Sequence, residues 1–195
     1  SMLHPNIHEN YEKGKKELSA QPKTEEIATY TKEVAPNFAQ QKVLKVAASD
    51  FLENPILHRE VFGPFSVIVE CGDKVELITV VQHLEGQLTG TILGSSSELE
   101  SYYEVVDALV NRVGRIIFNG VPTGVEVCPS MLHGGPFPAT SDSRFTSVGT
   151  AAIKRWVRPV SFQNWPESQL PEALKDSNPL GIMRLVNGLN TAQEI

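Results

Sequence analysis

Three short β-branched runs decide the fold: Phe65-Ser-Val-Ile-Val-Glu-Cys71, Leu88-Thr-Gly-Thr-Ile-Leu93 and Arg115-Ile-Ile-Phe-Asn119. The first is bounded by Pro64 and Gly72 and reads as a buried strand. Between it and the second, Asp73 is suited to cap a helix that carries Val75, Leu77, Ile78, Val81 and Leu84 up to Gly86. Between the second and third, Ser95-Ser-Ser-Glu98 and Ser97-Glu-Leu-Glu100 both fit the Ser-x-x-Glu capping box. The helix they open has Leu99, Tyr103, Val106 and Val110 on one face and is closed by Gly114. Strand, helix, strand, helix, strand with short joints predicts a βαβαβ unit, hence an α/β protein with a parallel sheet and right-handed crossovers.

Outward from this core the texture changes. Residues 120–139 hold four glycines and four prolines, from Gly120 and Pro122 to Pro136 and Pro138. Long irregular loops are uncommon inside compact domains and tend to be functional. Because this one leaves the carboxyl end of the third strand, it is expected to line a ligand site there. Residues 147–156 are expected as a short helix and 157–162 as a strand interrupted at Pro159. The tail carries Pro166, Pro171 and Pro179. Upstream, Asn6 is expected to cap a helix with Ile7, Tyr11 and Leu18 on one stripe. Residues 21–41 lack a strong period.

The chain has 195 residues, with 17 Lys+Arg against 23 Asp+Glu, a formal net charge of −6. That balance argues against a nucleic-acid partner, which needs a basic face. No apolar run approaches the roughly 18 to 20 residues of a membrane span, and no secretory leader is visible at the start. Cys71 and Cys128 are too few for a disulfide framework and lack the spacing of a zinc site, so a reduced, cytoplasmic protein is expected. Ser1-Met2 reads as a tag remnant.

Side chains able to do chemistry are sparse. Cys71 reads as a packed thiol and Cys128, in the Gly/Pro loop, as structural, because no base accompanies it in sequence. His4, His8, His58, His83 and His133 show no ligand spacing beyond the terminal His4/His8 pair, so no metal is expected. Ser141-Asp-Ser-Arg144 lacks a nucleophile-elbow frame, and Gly134-Gly135 belongs to neither phosphate-loop nor dinucleotide fingerprint. Arg59-Glu-Val-Phe-Gly-Pro64 stands apart. It reads either as a Gly-Pro turn or as a carboxylate and an aromatic ring held at a strand entrance, able to grip a ribose and cover a ring.

Glu60-Val-Phe-Gly-Pro64 followed by an apolar strand resembles the Glu-x-Phe-Gly-Pro motif of the aldehyde dehydrogenase superfamily. Gln41-Lys-Val-Leu-Lys-Val46 and Phe51-Leu-Glu53 resemble the stretch leading into that motif, and Ile117-Phe-Asn119 the strand before the substrate loop. Within the superfamily, four stretches are most similar to the α-ketoglutarate semialdehyde (2,5-dioxopentanoate) dehydrogenases. These are Gly120-Val-Pro-Thr-Gly-Val-Glu-Val127, the run from His133-Gly-Gly-Pro-Phe137 to Arg144, Ser147-Val-Gly-Thr-Ala-Ala152 and Asn178-Pro-Leu-Gly181. The likeness runs from about Phe38 to Asn187.

The resemblance implies a three-layer parallel-sheet catalytic domain over residues 3–156, incomplete, and an oligomerisation strand and tail over 157–195. It implies oxidation of an aldehyde with NAD or NADP: a cysteine thiolate attacks, hydride leaves, and a glutamate-activated water hydrolyses the thioester. The family's nucleophile and its general base in Glu-Leu-Gly-Gly-Lys do not occur here, so no catalytic residue is carried over and the isolated chain is expected to be inactive. By resemblance Glu60 matches the carboxylate on the nicotinamide ribose, and Phe62 the aromatic beside the nicotinamide. The loop 120–143 matches the substrate-tunnel wall, with His133 and Phe137 as substrate contacts. His133 replaces the aromatic of the family's Pro-Phe-Gly-Gly. Partners implied are a small-molecule aldehyde and further copies of the chain. The alternatives are a non-catalytic α/β binding or assembly module, or a hydrolase using Cys128.

Overall fold

A computed structural model describes residues 1–122 and 124–195. Thr123, within the motif of residues 120–127, lies outside the described residues. The chain divides into two compact units, Ser1–Arg155 and Trp156–Ile195.

In the first unit, helix α1 (Pro5–Ser19) precedes strands β1 (Glu25–Thr29) and β2 (Lys42–Ala47) and the short helix α2 (Ala48–Glu53). The cap of α1 is His4, whose Nδ1 accepts from the Asn6 backbone N–H at 3.2 Å, and Asn6 itself lies inside the helix. Pro5 explains the shift: its fixed φ and missing N–H suit the first helical turn. Strand β3 (Phe65–Glu70), helix α3 (Lys74–His83) and strand β4 (Gln87–Ile92) follow. Helices α4 (Ser96–Ser101) and α5 (Tyr103–Val110) then lead into β5 (Val113–Phe118). This is the expected strand–helix alternation. Asp73 caps α3 by accepting from Glu76 N–H at 2.8 Å, and Ser95 with Glu98 forms the complete capping box of α4.

The strands form two sheets in this unit. β1 is antiparallel to β2, with a bulge between Glu26 and Ala28, and β2 is parallel to β3 with Leu44 opposite Val67. β4 and β5 pair in parallel, Ile92 opposite Phe118. Among the described residues, β3 and β4 are not joined in one ladder. Helix α3 links the two sheets through packing. Its Val80 joins Val46, Phe51 and Leu57, while the adjacent Val81 joins Val105, Leu109 and Val113. Consecutive residues point to faces about 100° apart on a helix, so one helix serves two cores.

Two expectations need correction. β3 is not buried on both faces: Phe65, Val67 and Val69 are half-buried, while Ser66, Ile68 and Glu70 are exposed, because the packed helices cover one face. The long helix breaks at Tyr102, where the backbone leaves helical geometry (φ −116, ψ 29). The break resets the phase. Val105, Ala108 and Leu109 are buried, and Tyr103 and Val110, expected inside, are exposed.

The second unit is built on the hairpin β6 (Arg184–Val186) and β7 (Leu189–Thr191), turned by Asn187 and Gly188, both at positive φ. Asn-Gly is the strongest short hairpin signal, since both turn positions need φ > 0. The buried Asn178 ties the hairpin down, donating to the Ile182 and Ala192 carbonyls at 3.0 and 2.8 Å. Residues 157–162, expected as a strand, have no ladder partner among the described residues. Pro159 removes one donor there, and any ladder would need an edge from elsewhere.

Candidate cofactor and substrate site

The segment between α2 and β3 carries Glu60 and Phe62. Asn54 caps a short 3-10 turn over Pro55–His58 by accepting from Ile56 N–H at 3.2 Å. The His58 ring stacks on Phe51 with centroids 4.1 Å apart, and its Nε2 lies 2.7 Å from the Phe51 carbonyl. From this anchored turn the chain runs through Arg59–Pro64, bending at Arg59 and at Phe62–Pro64, into β3. Glu60 is exposed and Phe62 is 67% exposed, so a carboxylate and a ring face are both available to a ligand.

Glu60 lines a cavity of about 370 Å³ with His58, Glu85, Gln87, Thr89 and Pro138. The wall formed by Pro138 belongs to the Gly/Pro loop. That loop leaves the carboxyl end of β5 as expected, but it does not stay there. It folds back to the amino ends of β4 and β5: Gly86 N–H donates to the Phe137 carbonyl at 3.2 Å, and Gly114 lies against the Gly134 carbonyl. The site expected at the carboxyl ends therefore has its loop wall at the opposite ends. The reason is steric, since side-chain-free glycines at 86, 114 and 135 let backbone pack on backbone.

The four anticipated residues are not gathered in one place. Phe137 is 80% exposed and, like Phe62, does not line the cavity holding Glu60. His133 lines a separate cavity of about 80 Å³ with Asp142, Phe145, Ser147 and Arg155. Its backbone is fixed: His133 N–H donates to Thr146 Oγ1 at 2.8 Å, and Ser147 donates to the His133 carbonyl from both its N–H and its hydroxyl at 3.0 Å. The exposed Arg144 grips Asp142 of that cavity through Nε at 2.9 Å and Nη2 at 2.6 Å, holding the Asp142 carboxyl down to about 2. Asp142 is therefore a fixed anion in the lining of the cavity that also holds His133.

Burial pushes the Cys71 thiol up, aided by Glu76 and Asp73, which suits a packed thiol rather than a nucleophile. Cys128 Sγ lies 3.5 Å from Ser130 Oγ, with no base beside it among the described residues. Sequence reasoning missed one feature, an apolar cavity of about 210 Å³ at the carboxyl ends of β4 and β5, between Ile92, Ser95, Tyr102 and Phe118. The strand ends and the capping box that frame it were both readable.

No family model matches the chain. It is 54% identical over 138 residues to the alpha-ketoglutaric semialdehyde dehydrogenase of Acinetobacter baylyi, covering 71% of this chain and 26% of that protein. It is 43% identical over 187 residues to alpha-ketoglutaric semialdehyde dehydrogenase 2 of Azospirillum brasilense, covering 96% of this chain and 36% of that protein. Among solved structures, it is similar to the Delta-pyrroline-5-carboxylate dehydrogenase of Mycobacterium tuberculosis, with TM-score 0.59, 16% identity, 88% of this chain and 32% of that one. A salicylaldehyde dehydrogenase of Pseudomonas putida G7 gives TM-score 0.58 and 18% identity over 83% of this chain and 32% of that one. The chain belongs to the aldehyde dehydrogenase superfamily, and it spans about a quarter to a third of the length of the curated relatives it matches.

Proposed function

We propose that the chain is part of an NAD(P)-dependent aldehyde dehydrogenase that oxidises α-ketoglutarate semialdehyde to its carboxylate. The observation that carries this reading is identity of 54% and 43% to two dehydrogenases named for that substrate. The cofactor supplies hydride acceptance at its nicotinamide. A related structure, the Mycobacterium tuberculosis enzyme, is described as bound with NAD.

The residues present suit such a group. Glu60 offers carboxylate oxygens that accept hydrogen bonds from ribose hydroxyls, charge-assisted and therefore stronger than neutral ones. Phe62 offers an exposed face to a flat ring. His133 and Phe137 serve as substrate contacts in the loop wall, with Asp142, held by Arg144, fixing a charge in the cavity that His133 also lines. The nucleophilic thiolate and the general base come from outside this chain, since among the described residues no base stands beside Cys71 or Cys128. Residues 3–156 act as the catalytic-domain part and 157–195 as an arm through which copies associate. We read the enzyme as cytoplasmic; no helix among the described residues is long and apolar enough to cross a membrane.

The test is a dehydrogenase assay with NAD+ and NADP+ on this chain alone and on the whole polypeptide. We expect no turnover by the chain and turnover of the semialdehyde by the whole. Glu60→Gln in the whole enzyme should raise the cofactor KM by about tenfold, the worth of one charge-assisted hydrogen bond. Turnover by the chain alone would return Cys128 to consideration. An unchanged cofactor KM would remove Glu60 from the ribose.

A further inference from the structure

Three side-chain sites of α1 meet three alternate residues of the Arg59–Gly63 segment. Glu17 Oε1 pairs with Arg59 Nη1 at 2.9 Å. Gly14 lies under Val61, whose methyls stand 3.4 Å from where a Cβ on Gly14 would be. The Tyr11 ring lies so close to Gly63 that a Cβ there would overlap it. Tyr11, Gly14 and Glu17 are spaced by three, one face of a helix, and they meet Gly63, Val61 and Arg59 respectively along a segment that bends at Arg59 and at Phe62–Pro64. The remaining residues of that segment, Glu60 and Phe62, make none of these contacts, and both are exposed.

The hydroxyl of Tyr11 completes the clamp. Tyr11 is 1% exposed, and its O–H reaches the Gln40 carbonyl at 2.5 Å and the Pro64 carbonyl at 3.3 Å, one on each side of the β2–β3 entrance. The Pro64 carbonyl also accepts from Lys42 N–H at 3.1 Å. Helix, strand and motif are joined at one point.

We propose that α1 is a splint for the Glu60/Phe62 pair, with Tyr11 as its positioning residue, holding the segment in its bent path so that both side chains present outward to the nicotinamide riboside. This rests on the cofactor reading of Glu60 and Phe62. Tyr11 touches no cofactor and acts only through the segment.

Two measurements separate the splint from that reading. In the 195-residue chain, amide hydrogen exchange should quicken in Tyr11→Phe over residues 59–65 by roughly tenfold, the worth of a lost buried hydrogen bond. It should stay unchanged in β4 and β5. Gly14→Leu, which displaces Val61 instead, should loosen the same residues. In the whole enzyme, Tyr11→Phe should raise the cofactor KM about five- to tenfold while kcat and the aldehyde KM hold. Exchange that is unchanged at 59–65, or faster throughout the unit, overturns the splint. So does an unmoved cofactor KM where Glu60→Gln raises it. If Glu60→Gln also leaves that KM unmoved, the cofactor reading fails, while the exchange result still judges the splint.

Discussion

Gly114 illustrates how single residues set the site wall. A Cβ at this position would overlap the Gly134 carbonyl, which is backbone and cannot rotate away. Gly114→Ala should therefore destabilise the first unit by about 1–3 kcal/mol, as overpacking of a filled space does. Thermal melting checks this, with an expected fall in Tm of about 2–4 °C per kcal/mol for a chain this size. An unshifted melting point would mean the loop does not press on β5. At this scale the sequence was only partly legible. The glycines and prolines of residues 120–139 marked a loop, and the described residues of that stretch form no helix or strand. Where the loop goes depends on glycines 86 and 114, far upstream, and nothing local announces that backbone will pack on them. Glu60 and Phe62 were legible through their motif, whereas the role of Tyr11 needed the fold, because its partners Gln40, Gly63 and Pro64 are distant in sequence.

Elements with local stop and start signals were read well. Ser95 and Glu98 form both halves of the capping box: Glu98 N–H donates to Ser95 Oγ at 3.2 Å, and Ser95 N–H donates to Glu98 Oε2 at 2.8 Å. Ser95→Ala should cost about 1 kcal/mol, seen as a lower Tm and faster exchange in the first turn of α4. The Ser95 hydrogen bonds hold the Glu98 carboxyl below its ordinary range. A carboxylate whose pKa is lowered by folding contributes above its unfolded pKa and loses that contribution as pH falls through the folded one. Ser95→Ala keeps the backbone bond and loses the one the hydroxyl donates to Glu98 Oε2 at 2.7 Å, so the part of the difference from wild type that this bond carries should be full at pH 7 and shrink below about pH 4. A difference independent of pH would show that the hydroxyl acts without Glu98. The stripe beyond this cap was misread because Tyr102 breaks the helix, and a phase reset leaves no mark in apolar spacing. The β6–β7 hairpin carried its signal in Asn187-Gly188, yet its three-residue strands are too short for an alternation to register.

For the molecule as a whole, the question is what covers the apolar surface each unit leaves bare. Strands of parallel sheets are normally buried on both faces. Here Ile68 on β3 and Ile116 and Phe118 on β5 remain 48%, 36% and 41% exposed. In the second unit, Trp156, Val157 and Val160 are 80%, 62% and 60% exposed, along a segment with no ladder partner among the described residues. A segment without ladder partners that carries apolar side chains is open to pairing with another strand edge. A chain with net charge −6 resists indiscriminate aggregation, so the expected outcome is defined self-association. Sedimentation velocity over a roughly hundred-fold concentration range should show a coefficient that rises with concentration, as mass action requires. Val157→Asp with Val160→Asp should return the chain towards monomer if residues 157–162 are the contact, because two buried carboxylates disfavour the paired state. If association persists in that variant, the bare faces of β3 and β5 are the surface that meets. A coefficient constant across the range would mean that neither surface attracts a second copy.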